Sequence, residues 1–401
     1  MLFKDGFRTK KFIALLFILL VSLIVYPIVL IFRGLDNIFF PGYKKMKIKD
    51  PVFIFGNPRS GSTYFYNLMK SDRDFVSPVL YESLFCSIIL YKFTTFIRSI
   101  NRKIGRPFSK IIRSVEKRFD TIKHIHPVKL NTSEEDENLF IQTLISPSIL
   151  FYVPFPKELN YIQILDALPK KVREKVMTAY KNSLKRFMYV HGKNKTYFSK
   201  NVMAIGRLLS IQAVFPDAKI IYILRDPEKQ IASTTSLYYH YWKTKYPYIK
   251  KRSAKIQEIS KMNIRFYKHF LKVQPRLNQK NLFIVNYSDL KDDPQKIIKD
   301  IYKKFGLKLK KQTITTLNKK IKKNKRFKSR HKYSLKEFGL SRRLFRKELR
   351  PLLQLQSKLL NKKEIRLKKR EQRLERKEQR LKKREFKKRN LFKKKNPHSL
   401  T

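Results

Sequence analysis

The chain has 401 residues, of which 42% are apolar, so it can bury a sizeable core and is not a disordered chain. Its single cysteine, Cys86, excludes an internal disulfide framework and a cysteine-based zinc site. Its 93 Lys and Arg residues against 30 Asp and Glu give a formal charge of +63, which favours an anionic partner: a phosphorylated cofactor, acidic lipid headgroups, an acidic glycan or nucleic acid.

The first predicted element is a membrane anchor. Residues 12–32 contain no charged side chain, and a helix of that length spans roughly 30 Å, the thickness of the bilayer hydrocarbon. A basic flank, residues 1–11, precedes this segment, and a basic linker, residues 33–50, follows it. Because both sides are positive, the sequence predicts a single-pass transmembrane helix without deciding its orientation.

The central part of the chain, residues 51–345, has a mixed α/β pattern. Short runs rich in β-branched and aromatic residues predict buried strands at 52–55, 197–199, 219–224 and 281–285. Longer stretches with helical periodicity separate them, at 171–189, 228–241 and 254–271. Strands that alternate with helices predict one domain with a central, mostly parallel sheet flanked by helices on both faces.

The last segment, residues 346–401, changes character. Leucines recur every seven residues, at Leu353, Leu360, Leu367, Leu374 and Leu381. A coiled coil needs two apolar positions in each repeat of seven, and the second one holds glutamates here. The apolar face of this segment is therefore too narrow for a stable coiled coil. The pattern predicts a solvated basic helix, which either lies on an anionic surface or is a charged tail without a specific partner.

The first motif follows the strand at 52–55. Gly56 and Gly61 have the spacing of a phosphate-binding loop, and Ser62 and Thr63 come next at the start of a predicted helix. Glycines let main-chain N–H groups converge on an anion, and the helix N-terminus adds its dipole. A nucleotide-hydrolysing loop carries Lys directly before the Ser/Thr position, whereas here the cation comes earlier, at Arg59. The motif therefore predicts binding of a phosphate-like group and argues against an ordinary Mg-ATP kinase.

The second motif lies at the end of the strand at 219–224. Arg225 ends this strand, Asp226 and Pro227 begin a helix, and Ser233 lies on that helix. A cation and a hydroxyl at the carboxyl edge of a parallel sheet can bind a second phosphate, since ligands bind at that edge. Taken alone, the Arg-Asp-Pro sequence is equally typical of a helix-capping turn.

Together the two motifs, PRSGST at 58–63 and RDPxxxxxS at 225–233, resemble the two cofactor signatures of sulfotransferases that use 3′-phosphoadenosine 5′-phosphosulfate (PAPS). The resemblance covers roughly residues 50–342. Further segments that resemble this family are 55–82, 133–140, 198–227, 286–294 and 331–340.

The resemblance implies the P-loop-like sulfotransferase fold and transfer of a sulfonate from PAPS to a hydroxyl or amine by in-line displacement, without a metal. The residues implied to bind the 5′-phosphosulfate are Arg59, Ser60, Gly61, Ser62 and Thr63, and those implied to bind the 3′-phosphate are Arg225 and Ser233. Arg59 also faces the leaving group, whose charge it would stabilise.

The acceptor needs a general base. Glu82 is the first candidate, because it is an acid in an apolar stretch about 20 residues past the phosphate turn, a distance comparable to that in several sulfotransferase groups. Lys200, at a predicted strand end, is the candidate for stabilising developing charge. The alternatives for the base are Glu135, Asp136, Glu137 and His126.

The acceptor itself is not encoded in a motif. A membrane anchor and a basic surface favour a glycan or glycolipid over a small phenol. The catalytic domain would face the cytoplasm in a bacterium and the Golgi lumen in a eukaryote. Two other classes stay open: a P-loop nucleotide kinase or other phosphotransferase, and a membrane-tethered nucleic-acid-binding protein. The second is disfavoured because the basic tail carries only two aromatics, Phe386 and Phe392, so no specific nucleic acid is expected.

Overall fold

The computed structural model describes residues 26–105, 135–324 and 334–359. The chain divides into two compact units, Met1–Leu349 and Arg350–Thr401. In the second unit the described residues, 350–359, are helical. Most of the predicted basic tail, residues 360–401, lies outside the described residues, so its helical character stays a prediction.

The first unit is built on a parallel sheet. Its strands in the described part of the chain are β1 (Val52–Phe55), β2 (Phe75–Val76), β3 (Thr196–Lys200), β4 (Lys219–Leu224) and β5 (Leu282–Asn286). Their order is β2-β3-β1-β4-β5, and every neighbouring pair is parallel. The predicted α/β fold with a parallel sheet is confirmed. Only β2 was not predicted, because two residues carry no periodicity.

Helices connect and cover these strands. Within the described ranges of the first unit they are α1 (26–39), α2 (Ser62–Met69), α3 (Leu80–Phe85), α4 (Ile88–Lys103), α5 (Asn138–Ile141), α6 (Lys170–His191), α7 (Leu208–Val214), α8 (Pro227–Lys245), α9 (Ala254–Val273), α10 (Tyr287–Asp292), α11 (Pro294–Phe305), α12 (Lys311–Asn324) and α13 (Arg342–Glu348). The helical stretches expected from periodicity correspond to α6, α8 and α9.

The central strand β1 is buried on both faces, as its continuous apolar sequence predicts. Val52 and Ile54 join an apolar cluster formed with α2, α11 and α12. Phe53 points to the opposite face, where its ring lies 5.9 Å from Tyr197 and 5.9 Å from Phe215. The sheet therefore has helices on both faces, which leaves its carboxyl edge as the place where loops from several strands meet.

The predicted membrane anchor lies mostly outside the described residues. Residues 12–25 are not described, while 26–32 belong to helix α1. Within the described ranges, no helix combines the length and the apolar character needed to cross a bilayer. The transmembrane segment therefore stays a prediction.

Candidate active site

The turn between β1 and α2, residues 56–61, is called here the glycine turn. Gly61 has φ +87°, and a Cβ at this position would lie 2.4 Å from the ring of Tyr287. A Cβ at Gly56 would lie 2.7 Å from a main-chain carbonyl of β4. Both positions therefore require glycine, and the chain reverses tightly at the carboxyl end of the central strand.

A buried amide network holds the glycine turn from below. Gln230 Nε2 donates to the carbonyl of Pro58 at 2.6 Å, and the Thr234 hydroxyl donates to the same oxygen at 2.9 Å. Asn57 Nδ2 donates to the carbonyl of Asn263 at 3.1 Å. Because these side chains come from α8 and α9, the turn is fixed by the helices behind it and has little freedom to collapse.

The second motif lies against the first. Arg225 Nη1 donates to the carbonyl of Arg59 at 2.6 Å, and Arg59 Nε donates to Ser233 Oγ at 3.2 Å. The guanidinium of Arg225 also packs on the ring of Tyr287, at 4.8 Å from the ring centroid. Asp226 caps α8 by accepting the N–H of Glu228. Two predicted motifs about 165 residues apart in sequence thus form one cationic site.

Arg59 is a point of backbone strain. Its φ is +68°, a value that costs a residue with a side chain about 1–3 kcal/mol. The carbonyl bonded by Arg225 and the side-chain bond to Ser233 hold it in this conformation. Such strain concentrates at ligand-binding sites, and here it aims a guanidinium and a main-chain turn at the same place.

The same turn has the donors that an anion needs. Ser60 Oγ is buried and has no hydrogen-bond partner among the described residues. Ser62 begins helix α2, so its N–H lies at the positive end of the helix dipole. With the cations Arg59 and Arg225 close by, these groups fit a ligand that carries phosphate-like charge.

A lysine and an acid complete the site. Lys200, the last residue of β3, donates from Nζ to Thr63 Oγ1 at 3.0 Å and pairs with Glu135 Oε1 at 2.8 Å. The Lys200 side chain is 5% exposed, whereas that of Glu135 is 21% exposed. A carboxylate, an ammonium and a hydroxyl therefore meet next to the glycine turn, and of the two charged groups the carboxylate is the more accessible to solvent.

The other two acids of this segment are structural. Asp136 accepts the hydroxyls of Tyr180 and Tyr197 at 2.5 and 2.9 Å. Burial raises the pKa of Asp136, although these hydrogen bonds lower it. Glu137 forms a two-pronged pair with buried Arg207, at 2.6 and 2.8 Å. Both carboxylates are buried and hydrogen-bonded to core residues, so they are not available to take a proton from an acceptor.

Glu82, the first candidate for the base, lies in helix α3 and is buried. Its carboxylate accepts the N–H of Val79 at 2.9 Å and the hydroxyl of Tyr81 at 3.0 Å, and His191 Nε2 lies 3.4 Å away. Burial, with help from the Glu82 charge, raises the pKa of Tyr81 to about 12. Burial also lowers the pKa of His191, which the Glu82 charge opposes. These contacts are those of a helix-capping acid.

His126, another candidate for the base, lies outside the described residues.

Comparison with known proteins identifies the family. Residues 51–311, more than half of the chain, match the sequence profile of the sulfotransferase family. The chain belongs to the sulfotransferase family. The resemblance inferred from the two motifs is thereby confirmed.

Curated relatives and solved structures agree with this membership. The omega-hydroxy-beta-dihydromenaquinone-9 sulfotransferases Stf3 of Mycobacterium bovis and Mycobacterium tuberculosis are each 24% identical over 262 residues. The match covers 64% of this chain and 63% of the length of each relative. The crystal structure of sulfotransferase STF9 from Mycobacterium avium matches with a TM-score of 0.65, 16% identity and coverage of 80% and 81% of the two chains. The crystal structure of sulfotransferase STF1 from Mycobacterium tuberculosis H37Rv matches with a TM-score of 0.62 and 19% identity, and the match covers 79% of this chain and 80% of that one. These structures establish a shared fold.

For a member of this family, the site contains residues that the motifs alone did not reveal. Tyr287 closes over Gly61 and supports Arg225, and Gln230 and Thr234 bind the turn from behind. Gln230 and Thr234 carried a signal because they lie one helical turn apart on the predicted helix after Arg225, and Tyr287 lies in the segment 286–294 that resembles the family. Tyr238 and Trp242, which follow the second motif on α8, are buried, and the ring of Tyr238 stacks on that of Phe151 with 4.5 Å between the ring centroids.

Proposed function

We propose that this protein transfers a sulfonate group from PAPS to an acceptor hydroxyl. Membership in the sulfotransferase family implies PAPS as the donor. The observation that carries the proposal is the meeting of Lys200, Thr63 and Glu135 beside the glycine turn, because it combines a donor-binding site with an acid that solvent can reach. PAPS supplies the activated sulfonate, and the chain supplies the binding, orientation and proton transfer described next.

Donor binding uses fixed charge. The glycine turn, with Ser60, Ser62 and Thr63, offers main-chain and hydroxyl donors to the 5′-phosphosulfate. Arg225 and Ser233 are placed to bind the 3′-phosphate, and Arg59 lies between the two sets. Arg59 and Lys200 stabilise the negative charge that builds up on the leaving bisphosphate, a role in which preorganised cations contribute most to the rate. No step in this scheme calls for a metal.

Proton removal from the acceptor is assigned to Glu135. Its side chain is 21% exposed and one of its oxygens already pairs with Lys200, so it can accept a proton beside the donor site. Glu82 is less suited, because its two oxygens accept bonds from Val79 and Tyr81 at the start of its own helix. The choice of Glu82 from the sequence stays untested, and the variants described in the Discussion separate the two acids.

The acceptor is proposed to be a hydroxyl of a membrane lipid, glycolipids included. The Stf3 relatives are named for a hydroxylated menaquinone, and the positive charge of this chain and its apolar segment Phe12–Phe32 favour a glycan or glycolipid. That segment is proposed as the anchor, with the catalytic unit on the side of the membrane that supplies PAPS: the cytoplasm in a bacterium and the Golgi lumen in a eukaryote. Washing membranes with alkaline carbonate tests the anchor: a protein that spans the bilayer should stay in the membrane fraction.

The decisive experiment concerns the donor. Full-length protein is titrated with adenosine 3′,5′-bisphosphate by calorimetry, and ATP is added as a competitor. We expect the bisphosphate to bind and ATP to leave it in place, since the site lacks the lysine of a nucleotide-hydrolysing loop. Incubation with radiolabelled PAPS and a membrane lipid extract should then give labelled lipid. Displacement by ATP, or phosphate transfer from it, would favour the nucleotide-kinase alternative.

A further inference from the structure

Helix α4 carries apolar side chains on its outer face. Ile88 and Tyr91, near its start, are buried. Further along, Phe93, Phe96 and Ile104 are 57%, 62% and 55% exposed. These three recur at intervals near multiples of 3.6 residues, so they lie on one side of the helix. Together with the partly buried Ile97 and Ile100 on the same side, these three residues are called here the apolar stripe.

The side of the helix opposite these apolar residues is polar. Thr95 and Arg98 follow Tyr91 at helical spacing on that side; both are exposed, and the Arg98 guanidinium lies 4.7 Å from the ring centroid of Tyr81. This is the reverse of the pattern of an ordinary surface helix, which turns its apolar side to the core. Exposed apolar surface that is contiguous rather than scattered marks a docking surface.

Helix α1 joins this surface at the start of α4. The Asp36 carboxylate accepts the N–H groups of Ile88 and Ile89 at 2.9 and 3.1 Å, so the end of α1 caps α4. The earlier part of α1 is itself apolar and exposed, at Ile28 (46%), Leu30 (47%) and Ile31 (62%). In sequence, this apolar stretch continues N-terminally without a charge to Phe12.

The charge on α4 selects the partner. The helix carries four cations and no acid: Lys92 and Lys103 border the apolar stripe, whereas Arg98 and Arg102 lie on the opposite side. We propose that the apolar stripe docks on an anionic lipid bilayer, with its side chains at the boundary between headgroups and acyl chains. A bilayer supplies apolar surface and negative charge together, whereas a second copy of this chain would bring two basic helices face to face.

The segment that carries Glu135 is tied to the helices next to α4. The short segment that begins with Glu135 ends nine residues later at Leu144, which is 72% exposed. Between them, Gln142 binds the carbonyl of Leu84 at 2.6 Å and accepts from Arg33 of α1 at 2.6 Å, which ties this segment to α3 and α1. Access of a lipid hydroxyl to Glu135 rests on the proposed function, while the docking itself does not.

The test places a fluorescent reporter on the stripe. Full-length Phe96→Trp protein is bound to vesicles of phosphatidylglycerol and phosphatidylcholine, with and without bromine on the acyl chains near the headgroups. We expect a blue-shifted emission and loss of most of the introduced emission with the brominated lipids. Ile104→Trp should behave in the same way and covers the case in which Phe96→Trp does not fold. The native Trp242 is fully buried and gives a constant background.

Val172→Trp is the matched control. Val172 is 36% exposed and lies near the start of α6, whereas α4 packs near the end of that helix, where Tyr91 meets Phe187. The two ends are roughly 22 Å apart along the helix. Its emission should not respond to bromine.

The proposal would be overturned by unchanged emission from both stripe reporters or by equal quenching of the control. It would also be overturned if the protein had the mass of a dimer and the reporter emission did not depend on lipid, which would point to a second copy as the partner. Bisphosphate binding is measured on the same samples. Loss of that binding with quenching intact would contradict the proposed function alone.

Discussion

Two acid sites in this protein, Glu135 with Lys200 and Glu82 with His191, look alike in sequence but differ in their bonding and their exposure. Glu135 Oε1 pairs with a lysine that itself contacts Thr63, its Oε2 accepts only a long bond from the N–H of Val202 at 3.4 Å, and its side chain is 21% exposed. Both oxygens of Glu82 are engaged at the start of its own helix, and its side chain is 8% exposed. An acid in an apolar stretch is thus not enough to identify a base, because its hydrogen bonds decide whether it can accept a further proton.

The largest expected effect separates these two acids. Glu135→Gln should lower kcat by about 10²–10⁴, the usual contribution of a general base, and should flatten the acidic limb of the pH–rate profile. Glu82→Gln is the control and should keep most of its turnover. Steady-state kinetics with saturating donor measure both. If Glu82→Gln abolishes turnover while Glu135→Gln is near wild type, the base is the acid that the sequence favoured.

The lysine of the first site comes next. Lys200→Met should lower kcat by about 10²–10³ with a smaller change in donor affinity, because the ammonium acts on charge that develops during transfer. The matched control is Lys219→Met, since Lys219 pairs with Asp50 at the opposite end of the sheet at 3.0 Å. Equal losses in the two variants would mean that Lys200 acts on folding and not on the reaction.

Arg225 should act through affinity. Arg225→Ala should weaken binding of adenosine 3′,5′-bisphosphate by about 10- to 100-fold, the equivalent of roughly 1.5–3 kcal/mol for a charge-assisted contact. Turnover at saturating donor should change less. Lys229→Ala, which removes a surface cation 3.7 Å from Asp226, is the control. Calorimetric affinities that match in all three proteins would remove Arg225 from the donor site.

A substitution in the second site, Glu82 with His191, should change the stability of the protein and not its turnover. Glu82→Gln replaces an acceptor that binds the N–H of Val79 and the hydroxyl of Tyr81, so the free energy of unfolding should fall by about 1–3 kcal/mol. Urea unfolding of the full-length wild type and variant measures this loss. A variant that is as stable as wild type would show that the capping bonds contribute nothing.

The smallest effect is the pH dependence of His191. Burial lowers the pKa of this histidine below 6.5, so between the folded value and 6.5 the unfolded chain binds more protons. Stability should therefore fall as the pH drops below 6.5, and His191→Gln should lose part of this dependence. Urea midpoints at about pH 7.5 and about pH 5.5 test it. Parallel pH curves for the two proteins would contradict the assignment.

The sequence by itself determined the parts that are encoded in contiguous residues. Four strands were visible because a parallel strand buried on both faces reads as an unbroken apolar run, as in Val52–Phe55. Both motifs predicted to bind phosphate were visible because a tight turn and a helix start need particular residues at fixed spacing, such as Gly61.

The tertiary structure alone decided which side chains meet. Lys200 reaches Thr63 across 137 residues and Glu135 across 65, and neither separation leaves a periodic trace in the sequence. Local composition likewise made all the acids of residues 134–137 look equivalent, although burial commits Glu137 to Arg207 and leaves Glu135 open. Whether a carboxylate can react depends on the donors around it, and those donors come from strands and helices that only folding brings together.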